Sequence, residues 1–221
     1  MTYQELVEYL LKSGDSNFAL FSKRLSNSVY ESIGVKTPIL RKLIKEHYLD
    51  EDLKLEDFEH QKYLEVDCVY FGVGLLRCKT IEEQLEFLLN NLKFANSWAV
   101  TDTLTVYLRK CSFEGFVDFF NKTYKSEHVY TRRFAYVFAL KYSNDKRILD
   151  IINKMIENED YMVMMGEAWL LSFVAIYFPQ EVLSYLRNSN DLSLKRKAIS
   201  KICDSYRFDE ETKNEFKKLR P

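Results

Sequence analysis

The apolar residues of this chain recur at intervals of three and four positions, which is the period of an α-helix. Leu6, Tyr9 and Leu10 form the first such stripe, and Gly14-Asp15 ends it. A second helix is predicted from Asp15 or Ser16 to about Leu25. The polar segment that follows, residues 26–34, is predicted to be a connection.

The next predicted helix opens with Thr37-Pro38, a cap residue followed by proline at the first helical position, which is a strong start signal. Its apolar positions leave a basic face on the other side, formed by Arg41, Lys42 and Lys45. From residue 53 onward the pattern predicts helices in pairs of similar length. They are 53–60 with 62–78, 80–92 with 96–110, 113–124 with 129–142, 145–157 with 160–177, and 179–187 with 192–206.

Paired helices joined by short turns are typical of stacked helical hairpins. We therefore predict an all-α fold, an α-α superhelix (solenoid) of about six HEAT-like hairpins that forms a single domain over residues 1–221. Such a superhelix has a concave groove lined by successive helices. The many phenylalanines and tyrosines fall at helical spacing, so we expect most of them to pack between helices.

Composition narrows the classes of protein. With 6 Gly and 3 Pro, folds that need many tight turns are disfavoured. No secretion signal and no apolar run of about 20 residues is present, so we expect a cytoplasmic protein without membrane contact. The four cysteines have no paired spacing, which predicts reduced thiols and no metal site: Cys68, Cys78, Cys111 and Cys203. A net charge of -1 does not mark a nucleic-acid binder, although one local basic face is enough for phosphate contacts.

Trp98 and Asp102 are the first candidate functional residues. Four positions apart on a predicted helix, they share one face, where an electron-rich ring beside a carboxylate suits a cation. The alternative is a partly buried tryptophan with an aspartate hydrogen-bonded to a neighbouring turn, and the two residues taken alone favour it.

Two further places could carry chemistry. Arg132-Arg133, near the start of a helix in the following repeat, suits phosphate binding, and the alternative is a solvated charged turn. Trp169, within an apolar helix, could form another wall of the groove, and the alternative is core filling. Because the three places occupy comparable positions in successive repeats, a solenoid would align them side by side.

Several motifs resemble those of the AlkD-like DNA alkylation repair proteins. Residues 33–45 resemble their GV-x-x-P-x-L-R-x-x-x-K signature, and residues 96–102 their N-x-W-x-x-x-D segment. Arg133-Phe134-Ala135 is similar to their R-x-A helix and Ala168-Trp169 to their A-W helix. Residues 197–207 resemble the K-A-I-x-K-I-x-x-S-Y-R ending of one branch, so the resemblance spans nearly the whole chain.

The resemblance implies a glycosylase that hydrolyses the N-glycosidic bond of cationic N3- or N7-alkylpurines in duplex DNA, without metal or cofactor. Asp102 would be the catalytic residue, Trp98 and Trp169 would hold the substrate, and Arg133 would contact the backbone beside the lesion. We also expect a monomer. The predicted DNA-backbone contacts are Arg41, Lys42, Lys45, Arg132, Lys195 and Lys197.

The chain also departs from the family pattern. No lysine stands shortly before Trp169, where Glu167 occurs instead, and Glu65-Val66-Asp67 lacks an arginine found in many members. The polar residues 26–32 are short for the helix with which active members probe the minor groove. Two alternatives therefore stay open: a weak or inactive paralogue that binds DNA weakly, and a helical-repeat scaffold that binds a protein. A positive groove favours DNA over a protein partner.

Overall fold

A computed structural model describes residues 1–26, 30–155 and 160–221, apart from the side chain of Ser26. Within these ranges the protein is all-helical, with thirteen α-helices, three short 3₁₀ turns and no strand. The chain forms two compact units, residues 1–112 and residues 113–221. The prediction of one continuous domain stays a prediction. Residues 27–29 of the predicted connection and residues 156–157 of the predicted fourth-pair helix lie outside the described residues.

The first unit is built around helix α4, which is buried along most of its length and packs against α3 and α6. The capping box of Thr2 and Glu5 starts α1, whose Leu6 and Leu10 are fully buried. The six helices are α1 (Tyr3–Ser13), α2 (Ser16–Ser26), α3 (Thr37–His47), α4 (Leu64–Arg77), α5 (Ile81–Asn91) and α6 (Trp98–Leu104). 3₁₀ turns occur at Leu55–Asp57 and Leu92–Phe94.

The second unit is built around α10, which packs against α8 and α12. The predicted aromatic packing is confirmed here, because α7 and α8 bury five phenylalanines against one another: Phe116, Phe119, Phe120, Phe134 and Phe138. The helices are α7 (Phe113–Thr123), α8 (Val129–Ala139), α9 (Ile148–Ile152), α10 (Tyr161–Val174), α11 (Pro179–Asn188), α12 (Leu192–Asp204) and α13 (Glu210–Lys217). A 3₁₀ turn follows α8 at Leu140–Tyr142.

The predicted helix at 53–60 is wrong, because only the 3₁₀ turn at Leu55–Asp57 forms there. The carbonyl groups of the preceding loop are instead held by a side chain at the end of α4. Arg77 donates from Nε to the oxygen of Tyr48 and from Nη2 to the oxygens of Asp50 and Leu53, at 2.6 to 2.8 Å. A guanidinium group thus supplies donors that a helix would supply from its own backbone.

Other helix limits also differ from prediction. The predicted helix 145–157 is much shorter where the structure describes it, because α9 runs only from Ile148 to Ile152. Thr37 is the first residue of α3, the cap is Lys36, and Pro38 takes the second position. The predicted helix 96–110 ends at Leu104, because the buried side chain of Gln84 forms hydrogen bonds with the backbone beyond it. Its amide donates to the oxygen of Tyr107 at 2.9 Å and accepts from the nitrogen of Arg109 at 2.8 Å.

Candidate functional site

The start of α6 is fixed by the two residues that precede Trp98. Ser97 is fully buried, and its Oγ accepts the backbone N–H of Ala99 at 3.1 Å, which caps the helix. The side-chain amide of Asn96 donates to the hydroxyl oxygen of the buried Tyr30. These contacts set where α6 begins, and therefore on which side of the helix Trp98 and Asp102 lie.

Trp98 and Asp102 lie one turn apart in α6, and both are half-buried. The indole Nε1 of Trp98 donates to the backbone oxygen of Leu25, in the last turn of α2, at 3.1 Å. The carboxylate of Asp102 accepts from the hydroxyl group of Thr101 at 3.3 Å. Trp98 thereby connects α6 to α2, while Asp102 keeps part of its surface open to solvent.

This arrangement favours positive charge over negative charge. The indole ring attracts cations through its π face, and the carboxylate attracts them directly. Because both groups are partly screened from water, a cation beside them interacts more strongly than it would in bulk solvent. The pair can therefore stabilise a positive charge that develops on a bound ligand.

A buried carboxylate that the sequence did not single out holds the segment before α3. Glu65, in the first turn of α4, is 3% exposed. Its oxygens accept from the hydroxyl of Ser32 at 2.8 Å and from three successive backbone N–H groups, those of Ile33, Gly34 and Val35, at 2.8 to 3.3 Å. The acidic residue in the apolar run of α4 was the only signal for this contact.

Replacing Glu65 by glutamine should destabilise the first unit by about 2 to 3 kcal/mol, because an amide nitrogen would face backbone donors and lose charge-assisted hydrogen bonds. Urea unfolding followed by circular dichroism measures the change. Glu56→Gln is the matched control, since Glu56 is exposed in the nearby 3₁₀ turn and should leave stability unchanged. Equal stability of the two variants would contradict the assignment.

The basic residues predicted on α3 lie on its surface. Arg41, Lys42 and Lys45 are all exposed and, with Pro38 and Glu46, line a shallow open depression. Lys42 forms an ion pair with Glu46 at 3.8 Å, and an exposed pair of this kind contributes little to stability. Arg41, Lys42 and Lys45 are therefore accessible to a phosphate backbone.

The two arginines of α8 make backbone contacts within the second unit. Arg133 is 6% exposed, and its Nη1 donates to the oxygen of Met162, in the first turn of α10, at 2.7 Å. Arg132 donates from Nη1 to the oxygens of Ser126 and Glu127 at 2.7 and 3.3 Å. Both side chains thus have a structural role, and their predicted contact with DNA stays a prediction.

Lys195 and Lys197 lie on α12 and are half-exposed. The Nζ atom of Lys197 stands 5.4 Å from the ring centroid of Tyr161, which begins α10. This cation-π contact leaves the ammonium group near solvent.

Trp169 is half-buried and lines a pocket of about 390 Å³ in the second unit. The wall of α10 is aromatic and aliphatic apart from Ser172, whose hydroxyl group donates to the backbone oxygen of Trp169, whereas the wall at the end of α12 is polar. Three residues of that polar wall, Lys201, Ser205 and Arg207, belong to the tail motif at residues 197–207. Sequence reasoning assigned them no role.

Glu167 explains part of the departure from the family pattern. It is fully buried in α10, two residues before Trp169. Burial and the charge of Glu167 raise the pKa of Tyr136 in α8. Burial, together with the charges of Glu167 and Asp191, raises the pKa of Tyr185 to about 12. Glu167 therefore faces tyrosine hydroxyl groups inside the unit and adds no acid to its surface.

Comparison with known proteins gives one family. Residues 6–202 match the family described as DNA alkylation repair enzyme. Searches of curated proteins and of solved structures found no match. None of the helices within the described residues has the length and apolar character needed to cross a membrane. Because the match spans most of the sequence, the chain belongs to the DNA alkylation repair enzyme family.

Proposed function

We propose that this protein is a DNA glycosylase that removes cationic N3- or N7-alkylpurines from duplex DNA. The observation that carries the proposal is the pair of Trp98 and Asp102, partly open on one short helix of a chain that belongs to the alkylation repair family. An indole and a carboxylate one turn apart suit the positive charge of the substrate and of the reacting sugar.

The reaction breaks the bond between C1′ of the deoxyribose and the purine nitrogen. The bonding electrons leave with the purine and neutralise its charge, so the positive charge passes to the sugar. Asp102 would stabilise that cation and position a water molecule, whose oxygen bonds to C1′ while its proton passes to solvent. Because an alkylated purine is already a good leaving group, stabilisation of the sugar cation is the main requirement.

The remaining residues would bind the DNA. Trp98 in the first unit and Trp169 in the second are proposed contacts to the damaged nucleotide, and Arg133 to the backbone beside it. We also propose that the helical pairs stack into a superhelix with a concave groove. We further propose that the protein is a cytoplasmic monomer. The proposed phosphate contacts are Arg41, Lys42, Lys45, Arg132, Lys195 and Lys197.

The experiment that tests the function is release of free base from duplex DNA treated with a methylating agent. Purified protein should release 3-methyladenine or 7-methylguanine and leave abasic sites in the duplex. Unmethylated duplex of the same sequence is the control and should release nothing. Absence of both products with folded protein would contradict the proposal.

Removing the charges of the exposed α3 face should weaken DNA binding. The combined variant Arg41→Gln, Lys42→Gln and Lys45→Gln should bind undamaged duplex more weakly at low salt. The slope of log affinity against log salt should fall by about 0.9 for each phosphate that the variant no longer binds. Fluorescence anisotropy at several salt concentrations measures both effects. An unchanged slope would show that the exposed face of α3 does not contact the DNA backbone.

One observation favours a second candidate, a paralogue that binds DNA weakly and releases no base. Arg132 and Arg133 both donate to backbone carbonyl groups of their own unit, and Arg133 is 6% exposed. Donors used in this way are less available to phosphate. Salt-dependent binding of duplex without release of methylated base would support this candidate.

A further inference from the structure

The pocket beside Trp169 has two chemically different walls. Trp169, Phe173 and Ile176 follow one another along one face of α10 and the turn after it, at helical spacing. The opposite wall comes from the last turn of α12 and the residues after it, Lys201, Asp204, Ser205 and Arg207. A volume of about 390 Å³ lies near the lower end of the range for small-molecule sites. The pocket therefore has room for one small ligand.

Ring contacts link the α10 wall of the pocket to the wall formed by the end of α12 and the residues after it. Trp169 and Phe173 meet edge to face, with ring centroids 6.0 Å apart. The guanidinium carbon of Arg207 lies 4.8 Å from the centroid of Phe173. Stacking on the ring orients the planar guanidinium group while leaving its edge available for hydrogen bonds.

Two planar donors of the pocket have no acceptor in the part of the chain that the structure describes. The guanidinium group of Arg207 has only its contact with Phe173, and the neighbouring carboxylate of Asp204 does not pair with it. The indole N–H of Trp169 likewise donates to no described group. By contrast, the indole N–H of Trp98 donates to the oxygen of Leu25. Donors left open in a pocket can bind the acceptors of a ligand.

The charges of the pocket favour an anion by a small margin. Lys201 and Arg207 carry two positive charges and Asp204 one negative charge. The carbonyl groups at the end of α12 add a partial negative charge, which Lys201 in the last turn offsets. An anion would therefore be held through direct hydrogen bonds to Arg207 and Lys201 more than through the general field.

We propose that this pocket binds one nucleotide, with its base against Trp169 and its phosphate between Lys201 and Arg207. A nucleotide combines the flat aromatic surface that suits the α10 wall with the anionic acceptors that suit the tail residues. That the nucleotide belongs to a DNA strand rests on the proposed function, and a free mononucleotide has the same chemistry. The tail motif thereby gains a role as a phosphate contact.

The test is isothermal titration of the full chain with four probes: deoxyadenosine 5′-monophosphate, deoxyadenosine, inorganic phosphate, and a short single-stranded oligodeoxyadenylate. The monophosphate should bind at least about tenfold more tightly than the nucleoside, because only it reaches Arg207 and Lys201. Inorganic phosphate should bind more weakly than the monophosphate, because it lacks a base. Tighter binding of the oligonucleotide would identify a strand as the source, and equal binding a free nucleotide.

Arg207→Gln should weaken binding of the monophosphate by about tenfold and leave binding of the nucleoside unchanged. Arg196→Gln is the matched control, because Arg196 lies on α12 and does not line the pocket. Trp169→Phe should weaken binding of both the monophosphate and the nucleoside, since a smaller ring gives less stacking. Circular dichroism checks the fold of each variant.

Equal binding of the monophosphate by the Arg207 and Arg196 variants, or equal binding of nucleoside and monophosphate by the native protein, would overturn the pocket proposal. Base release from methylated duplex is measured on the same samples. If the protein releases base but binds the monophosphate equally well without Arg207, the pocket proposal is wrong and the glycosylase proposal stands. If the protein releases no base but its binding of the monophosphate depends on Arg207, the pocket proposal stands and the glycosylase proposal is wrong.

Discussion

Replacing Asp102 by asparagine should lower the rate of base release from methylated duplex by at least about a hundredfold. Asparagine has nearly the same shape but no charge, so it stabilises the sugar cation poorly. Binding of duplex DNA should stay the same or improve, because the carboxylate repels phosphate and makes no favourable contact with it. Single-turnover release assays and duplex titrations measure the two effects separately.

The matched control for this variant is Asp118→Asn, which removes an aspartate from the outer part of α7 and should leave the rate of base release unchanged. If the Asp102 variant releases base at the native rate, Asp102 has no part in the chemistry. If both variants reduce release equally, the reduction reflects net charge and not the position of the carboxylate.

Replacing Gly34 by alanine should destabilise the first unit by about 3 to 5 kcal/mol, through strain and a steric clash together. Gly34 has φ of +89°, in the left-handed region that favours glycine. A Cβ atom there would stand 2.1 Å from the backbone oxygen of Asp15 and 2.8 Å from the nitrogen of Ala19. The segment would have to move, which would also disturb the hydrogen bond from its N–H to Glu65.

Gly166→Ala is the control for the glycine prediction. An added Cβ in α10 would make ordinary contacts, at 3.5 Å from Cγ of Arg133 and 3.6 Å from its oxygen. Because alanine favours helix over glycine, this variant should keep or gain up to about 1 kcal/mol of stability. Urea unfolding of both variants is the measurement. A destabilisation below about 0.5 kcal/mol in the Gly34 variant would show that the segment adapts without strain.

Most of the helices follow from the spacing of apolar residues alone. The pattern predicted α1, α2, α5, α7 and α11 to within about two residues. All of these but α2 bury residues on one face and expose the other, whereas no described side chain of α2 is buried. It failed where a side chain from another helix replaces helical hydrogen bonds. Arg77 holds the loop that was predicted as a helix, and Gln84 ends α6 early. Such long-range contacts leave no periodic signal in the sequence.

The candidate site was predictable to a different degree in each unit. The spacing of Trp98 and Asp102 was enough to place them one turn apart in α6. The burial of Arg133 was not visible, because an arginine in a helix has the same pattern whether it faces solvent or a carbonyl group of the next helix. The pocket beside Trp169 was missed as well, because it forms only when the end of α12 packs near α10.

The family signature around Gly34 also has a structural explanation. The glycine allows close approach to the turn at Asp15, and its N–H group binds Glu65. This part of the resemblance therefore reflects how α2, α3 and α4 are held, and it does not report on catalysis. The functional claim depends on Trp98 and Asp102.

The measurement that tests this claim most directly is a single-turnover time course with a duplex that carries one 7-methylguanine at a defined position. Free base and abasic strand are quantified from the same reaction with an excess of native protein. The proposed function predicts that both appear together, in equal amounts and faster than in duplex without protein. It also predicts that the Asp102→Asn protein releases them at least about a hundredfold more slowly than the native protein. Binding of this duplex by native protein with no release above the protein-free rate would contradict it, provided that methylated duplex also yields no 3-methyladenine.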